Sequence, residues 1–165
     1  SYDTLGGVQP NPHLGLAREG VKKAIAMDAQ LILAIGGGSV IDTAKAIAHG
    51  RANPDIDIWD FWLGKKKVEK TTPVGVILTI PASGSETSDS AVLTDEAGVG
   101  RRGLHVGESG VGNLFMFAAM VSNDHVKAWR MMSLSARLLR VEAGVAPATR
   151  SAAEAIAISF FIIVL

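Results

Sequence analysis

The chain has 165 residues, 16 Lys and Arg against 16 Asp and Glu, a 48% hydrophobic composition, 18 glycines and no cysteine. That length builds one compact domain and is short for two. Zero net charge supplies no long-range field for nucleic acid or an anionic membrane surface, and the lack of cysteine excludes disulfides, thiolate zinc sites and cysteine nucleophiles.

The opening SYDTLGG has no basic and apolar leader pattern, and the apolar ending AIAISFFIIVL is far shorter than the roughly 20 residues that span a bilayer. A cytoplasmic location with neither a nucleic-acid nor a membrane partner is therefore expected. Seventeen of the 18 glycines lie in residues 1–112, with Gly144 alone beyond them. The chain divides accordingly into a turn-punctuated first part and an Ala/Leu-rich remainder.

In chain order, Gly6-Gly7 makes a turn, and Asn11-Pro12 reads as the cap and first turn of a helix over residues 12–28. Leu14, Ala17, Val21, Ala24 and Ile25 give that helix one apolar face. The run Leu31 to Ile35 is a strand expected to be buried on both faces, stopped by Gly36-Gly37-Gly38. A second helix opens at Ser39 and ends at Gly50. Helix, buried strand, glycine turn and helix are α/β grammar.

Residues 51–72 read as a mixed connection in which Lys65-Lys66-Lys67 is a solvated basic run. Val74 to Ile80 is a further strand, followed by the polar loop Pro81 to Ser88, and Ala91–Thr94 can pair with Gly103–Val106 as a hairpin. Beyond about residue 107 no strand signal is expected. Leu114, Phe117 and Val121, and again Met131, Leu134, Leu138 and Val141, recur at helical spacing. The end Phe160 to Leu165 carries no charged gatekeeper and is an aggregation hazard.

The chemistry concentrates at Gly36-Gly37-Gly38-Ser39. A helix N-terminus presents unpaired N–H groups and a partial positive charge, and glycines let a phosphate approach the backbone, so this turn suits a phosphate or pyrophosphate. A tight strand-to-helix turn capped by Ser39 is the plainer alternative. The formal G-x-G-x-x-G at Gly98–Gly103 opens no helix and reads as a hairpin turn. No Walker spacing and no G-x-S-x-G elbow occur. The hydroxyl-rich loop from Thr79 to Ser88 falls at the carboxyl end of a strand, where ligands sit in open α/β sheets.

Three ordered segments, Gly6 to Pro12, Leu33 to Ile47 and Leu78 to Glu86, resemble the iron-containing (group III) alcohol dehydrogenases, and among them the butanol dehydrogenase branch. The resemblance covers about residues 2–104. It implies a partial Rossmann-like NAD(P)-binding domain with a parallel sheet over residues 1–105, followed by a helical or poorly ordered stretch over 106–165 that is either divergent, truncated or read in a shifted frame. It implies an oxidoreductase that moves a hydride between NAD or NADP and a short-chain alcohol or aldehyde. A homo-oligomer is compatible with it.

By the same resemblance, Gly37, Gly38 and Ser39 meet the cofactor pyrophosphate and Asp42 lies one helical turn on. Thr79 and Ser83 line the nicotinamide side, Ser88 is a further polar contact, Asn11 lies near the adenosine end, and Arg101 is a basic contact after the hairpin turn. The family binds Fe²⁺ or Zn²⁺ through an Asp, a His four residues later and two more histidines. Here the residues four before His13, His49, His105 and His125 are Gln9, Lys45, Arg101 and Val121, and Asp124-His125 are adjacent rather than one turn apart. No metal ligand and no catalytic residue is therefore assigned, and the chain alone is expected not to turn over. A non-catalytic nucleotide- or phosphate-binding module and a dehydroquinate synthase-like enzyme are the alternatives.

Overall fold

The structure, a computed structural model, describes residues 1–79, 83–98, 100–106, 116–120 and 161–165. The elements are β1 (Tyr2–Leu5), α1 (Leu14–Ala26), β2 (Leu31–Gly36), α2 (Gly38–Ala52), α3 (Ile58–Trp62), β3 (Val74–Leu78), a 3-10 turn (Ser85–Thr87), β4 (Ser90–Asp95), β5 (Gly100–His105), β6 (Met116–Met120) and β7 (Phe161–Val164). One parallel sheet has the order β1-β7-β2-β3-β6, while β4 and β5 form a separate antiparallel pair. The expected α/β class with a parallel sheet is what the chain forms.

Helix α1 buries Leu14, Ala17 and Ala24 as its spacing predicts, together with Gly20, while Val21 is half-buried and Ile25, also expected on that face, is exposed. Its start differs from the expectation. His13 is the N-cap, and Asn11 stands two residues before it with φ of 60°. The cause is the hairpin: Thr94 N–H donates to the Pro12 carbonyl at 2.8 Å and His13 bridges Thr94, which holds residues 12 and 13 extended. Asn11 is therefore not the helix cap.

Helix α2 packs on α1, β2, β3, β7 and β4, and is accordingly buried almost all round from Ile41 to Gly50. It begins at Gly38 rather than Ser39, with Gly37 as N-cap. It runs two residues past Gly50, to Ala52, and the Asn53 side-chain amide donates to the last-turn carbonyl of His49 at 2.8 Å. Such a bond satisfies one of the carbonyls that a helix end leaves unpaired.

The main core joins Leu5, Ala24, Ile32, Ala34, Ile41, Ile47, Val74, Val76, Ile162 and Val164 between α2 and one face of the sheet. Strand β2 alternates half-buried and buried positions rather than being buried on both faces. Among the described residues the helices cover one face, so Ile32 and Ala34 are enclosed while Leu31, Leu33 and Ile35 are less so.

A second core sits beneath the hairpin. Trp59, Phe61 and Trp62 bury against Leu14, Ala17, Ala91 and Leu93, and they do so from α3, a helix that the mixed composition of residues 51–72 concealed. Asp57 starts it, accepting from Trp59 N–H at 2.9 Å while Arg18 donates to both its oxygens at 2.9 and 2.8 Å. Lys65, Lys66 and Lys67 are exposed, as a solvated run should be. The expected hairpin is present, with Ala91 facing Leu104, but its second strand is Gly100–His105 rather than Gly103–Val106, so Gly100 to Gly103, expected in the turn, pair with Asp95 to Val92.

Two strands overturn the expectation of none beyond residue 107. Met116–Met120 extends the sheet beside β3, and Phe161–Val164 enters it between β1 and β2. Met-Phe-Ala-Ala-Met lacks β-branched residues, so its sequence leaves strand and helix equally open; the helical reading through Phe117 is corrected. The segment flagged as an aggregation hazard buries Ile162 and Val164 completely. The helical pattern at Met131, Leu134, Leu138 and Val141, the Asp124-His125 pair and the end of the second expected strand at Ile80 lie outside the described residues.

Candidate cofactor-binding site

The parallel ladder between β2 and β3 ends with Gly36 opposite Leu78, and Thr79 N–H donates to the Gly36 carbonyl at 3.1 Å. This places Thr79 directly beside the glycine turn. The turn then enters α2. Gly37 has no side-chain cap bond, and the first helical bond runs from Ile41 N–H to the Gly37 carbonyl at 3.1 Å. The N–H groups of Gly38, Ser39 and Val40 precede that bond and are left to an outside acceptor. A Cβ on Gly37 would meet nothing within 4 Å, so open space lies beside the turn at that position.

Gly38 closes the other side. A Cβ there would stand 2.5 Å from Ser83 Oγ and 3.1 Å from Ser83 Cβ. Only glycine permits Ser83 to rest against the helix start. Gly37, Gly38, Ser39, Thr79 and Ser83 thus come together at the carboxyl ends of β2 and β3, as their spacing in the sequence suggests.

Beneath this surface lies a polar tier that sequence reasoning missed. Lys45 is fully buried, and its ammonium donates to the carbonyls of Ser85 at 2.7 Å, Ser88 at 2.8 Å and Ser90 at 2.7 Å, and to Ser85 Oγ at 3.1 Å. Asp42 completes the tier by accepting from Ser85 Oγ at 2.5 Å and from Val92 N–H at 3.0 Å. Burial holds the Lys45 ammonium below its ordinary pKa, and the Asp42, Asp89 and Glu86 carboxylates oppose that shift. Asp42 and Lys45 are three residues apart and share a helix face, but that spacing alone does not show that the face is buried.

Asp42 is therefore turned toward the loop that carries Ser83, with both oxygens already engaged. Ser88 Oγ accepts from Ser90 N–H at 3.1 Å and serves the bend into β4. Thr43 Oγ1 donates to the Ser39 carbonyl at 2.8 Å. One Glu86 carboxylate oxygen is buried without a hydrogen-bond partner in the same loop. Asn11 and Arg101 are both exposed and lie on either side of Thr94, which bonds Pro12 and faces Arg101. Among the described residues no hydrogen bond joins either to the glycine turn.

The described histidines are each occupied elsewhere. His13 Nδ1 is 3.2 Å from Glu96, His49 Nδ1 is 3.0 Å from Thr71 Oγ1, and His105 Nδ1 is 3.0 Å from Asp89 and 2.9 Å from Ser90 Oγ. Burial, with Lys45 nearby, lowers the His49 pKa to about 4, so it stays neutral near pH 7. No three His, Cys, Asp or Glu side chains converge among the described residues, so these residues do not fit an iron or zinc ion. No described helix is long and apolar enough to cross a membrane.

An open parallel sheet with a glycine-opened helix at its strand ends defines a nucleotide-binding α/β class. The family model for iron-containing alcohol dehydrogenase matches residues 1–108. This chain belongs to that family. It is 43% identical over 91 residues to the probable NADH-dependent butanol dehydrogenase 2 of Bacillus subtilis (strain 168), covering 55% of this chain and 23% of that protein. The NADPH-dependent aldehyde reductase YqhD of Escherichia coli (strain K12) is 35% identical over 103 residues, covering 61% and 27%. The crystal structure of NADH-dependent butanol dehydrogenase A from Thermotoga maritima superposes with a TM-score of 0.61 at 37% identity, covering 69% of this chain and 27% of that one. The chain thus spans about a quarter of the length of these relatives.

Proposed function

We propose that this chain is the nicotinamide-dinucleotide-binding part of an alcohol dehydrogenase or aldehyde reductase. The observation that carries the reading is the start of α2, where the N–H groups of Gly38, Ser39 and Val40 come before the first helical bond, open space lies at the Gly37 Cβ position and Ser83 rests on Gly38. A helix start favours an anion by about 0.3–1 kcal/mol when exposed and up to about 2 when partly buried.

In this reading the Gly37, Gly38 and Ser39 amides hold the pyrophosphate, and the Thr79 and Ser83 hydroxyls orient the nicotinamide end. Asp42 and Lys45 act one tier below by keeping the Ser83–Ser88 loop against α2. The remaining lone pairs of Asp42 stay available to a ribose hydroxyl. Asn11 is proposed near the adenosine end and Arg101 as a separate basic contact to the cofactor from the hairpin.

The cofactor, NAD or NADP, supplies or accepts the hydride; the described residues bind and orient it. A short-chain alcohol or aldehyde is the substrate proposed for the whole enzyme, on the strength of the relatives' names. The residues four before the chain's histidines are Gln9, Lys45, Arg101 and Val121, and none is the Asp that would complete a metal-binding pair. The chain alone therefore binds cofactor without turnover.

Titration of the purified chain with NADH and NADPH, followed by nicotinamide fluorescence, tests the first half of the proposal. Saturable binding supports it. Equal competition by inorganic phosphate would instead identify a general phosphate-binding module. Aldehyde reduction by this chain on addition of Fe²⁺ or Zn²⁺ would overturn the assignment of binding without turnover.

A further inference from the structure

A concave site lies away from the glycine turn, where the chain leaving α3 passes the end of β5. The cavity there measures about 500 Å³, within the roughly 300–1,000 Å³ of small-molecule sites. Phe61, Val68, Leu104 and Val106 supply its apolar lining, all of them in or packed against the second core. Lys66, Lys67 and Glu69 bring its charged groups, and His105 lines it from β5.

Both sides of the cavity are held in place. Gly64 takes a φ of 71°, a turn that suits glycine, and the N–H groups of Lys65 and Lys66 then donate to the Asp60 carbonyl at 2.9 and 3.2 Å. The loop that carries the lysines is thereby tied to α3. On β5, His105 Nδ1 stands 3.0 Å from Asp89 and 2.9 Å from Ser90 Oγ. An ionised carboxylate only accepts, so Nδ1 carries a proton and Nε2 is the ring nitrogen left for a ligand.

The charges narrow the ligand. Lys65 pairs with Asp60 at 3.3 Å, whereas Lys66 and Lys67 have no carboxylate partner among the described residues. Glu69 offsets one of those two lysines and Asp89 stands against His105, which leaves one net positive charge beside the apolar lining. Inorganic phosphate would leave that lining unused, and a neutral alcohol would leave the ammonium groups unmatched. An anion of one charge with a short hydrocarbon tail matches both.

We propose that this cavity binds a short-chain aliphatic carboxylate, with its head at Lys66, Lys67 and His105 and its tail along Phe61, Val68 and Leu104. Hydrogen bonds to the charged head are of the stronger, charge-assisted kind, and the tail adds apolar burial. The site shares no lining residue with the glycine turn and does not rest on the cofactor reading.

The test titrates the ¹⁵N-labelled full chain with hexanoate, butyrate, hexanol and inorganic phosphate at constant pH and ionic strength. Saturable hexanoate shifts at the amides of residues 66–68 and 104–106 are expected, with butyrate roughly 15-fold weaker because each buried methylene contributes about fourfold. The exposed pair Lys66→Met and Lys67→Met should weaken hexanoate about tenfold or more, and hexanol and phosphate should bind more weakly than hexanoate by a similar factor. Hexanol as tight as hexanoate would mean an apolar crevice only, and phosphate as tight would mean a bare cationic patch. Either result, undiminished hexanoate binding by the double variant, or no shift at these amides would overturn the proposal. Saturating NADH should leave hexanoate affinity unchanged; competition between them would place hexanoate in the cofactor site and contradict it.

Discussion

The ammonium of Lys45, sealed inside α2, lies 2.7 Å from the carbonyl oxygen of Ser85, and through it the helix grips the loop that presents Ser83 to the glycine turn. Two further carbonyls, of Ser88 and Ser90, depend on the same group. Replacing Lys45 with Met keeps much of the volume and removes every one of these bonds. The expected cost is about 3–5 kcal/mol in denaturant unfolding, the range for breaking a buried charged network from one side. NADH affinity should fall together with stability.

Gly37 and Gly38 separate fold from site. Gly37 has φ of −96° and open space at its Cβ position, so Gly37→Ala should change stability by less than about 0.5 kcal/mol. It should still weaken NAD(P)H binding about tenfold, because its methyl group enters the space proposed for the pyrophosphate. Gly38→Ala instead strikes Ser83, and adding Ser83→Gly should restore most of the lost stability. Thermal unfolding and cofactor titration on the same four proteins check this pattern.

His49 makes stability depend on pH. Burial lowers its pKa from 6.5 to about 4, with the Lys45 charge one turn away adding to the shift, while Thr71 and Trp62 supply only neutral contacts. Between those two values the unfolded chain binds more protons than the folded one, so stability falls as pH drops from about 6.5 to 4. The loss approaches about 3 kcal/mol. Asp57, held low by Arg18, adds its own loss only below its ordinary value of 3.8. Unfolding of His49→Gln should show a flatter profile across pH 4–6.5.

Asp57 joins α3 to α1 through Arg18 and caps the Trp59 amide. Asp57→Ala should cost about 1–2 kcal/mol, mostly from the lost cap, since the Arg18 pair is half exposed and screened. High salt should leave most of that difference in place, as measured by urea midpoints.

Local rules made the first 105 residues legible where they agreed with tertiary demands. Leu14, Ala17 and Ala24 of the first helix, the run Leu31 to Ile35 and the existence, though not the exact register, of the hairpin declared themselves by period and by glycine placement. Asn11 misled because Thr94, distant in sequence, holds Pro12 extended, a constraint that capping preferences do not contain. Trp59, Phe61 and Trp62 hid a helix because α3 is only five residues long. The glycine turn with Thr79 and Ser83 was legible because strand ends and helix starts follow one another in sequence. Lys45 was not, since nothing local shows that a lysine will lose its solvent to three carbonyls. The strands beyond residue 107 depend on partners at Val74–Leu78, Tyr2–Leu5 and Leu31–Ala34, so only the assembled sheet reveals them.

The central claim is that the start of α2 holds a dinucleotide phosphate. Amide-resolved NMR of the ¹⁵N-labelled chain, titrated with NADH, observes those N–H groups directly. Saturable shifts centred on Gly38, Ser39 and Val40 and on Ser83, reduced at least tenfold in apparent affinity by Gly37→Ala, are the predicted result. Unchanged amides at Gly38 to Val40 under saturating NADH and NADPH would contradict the account.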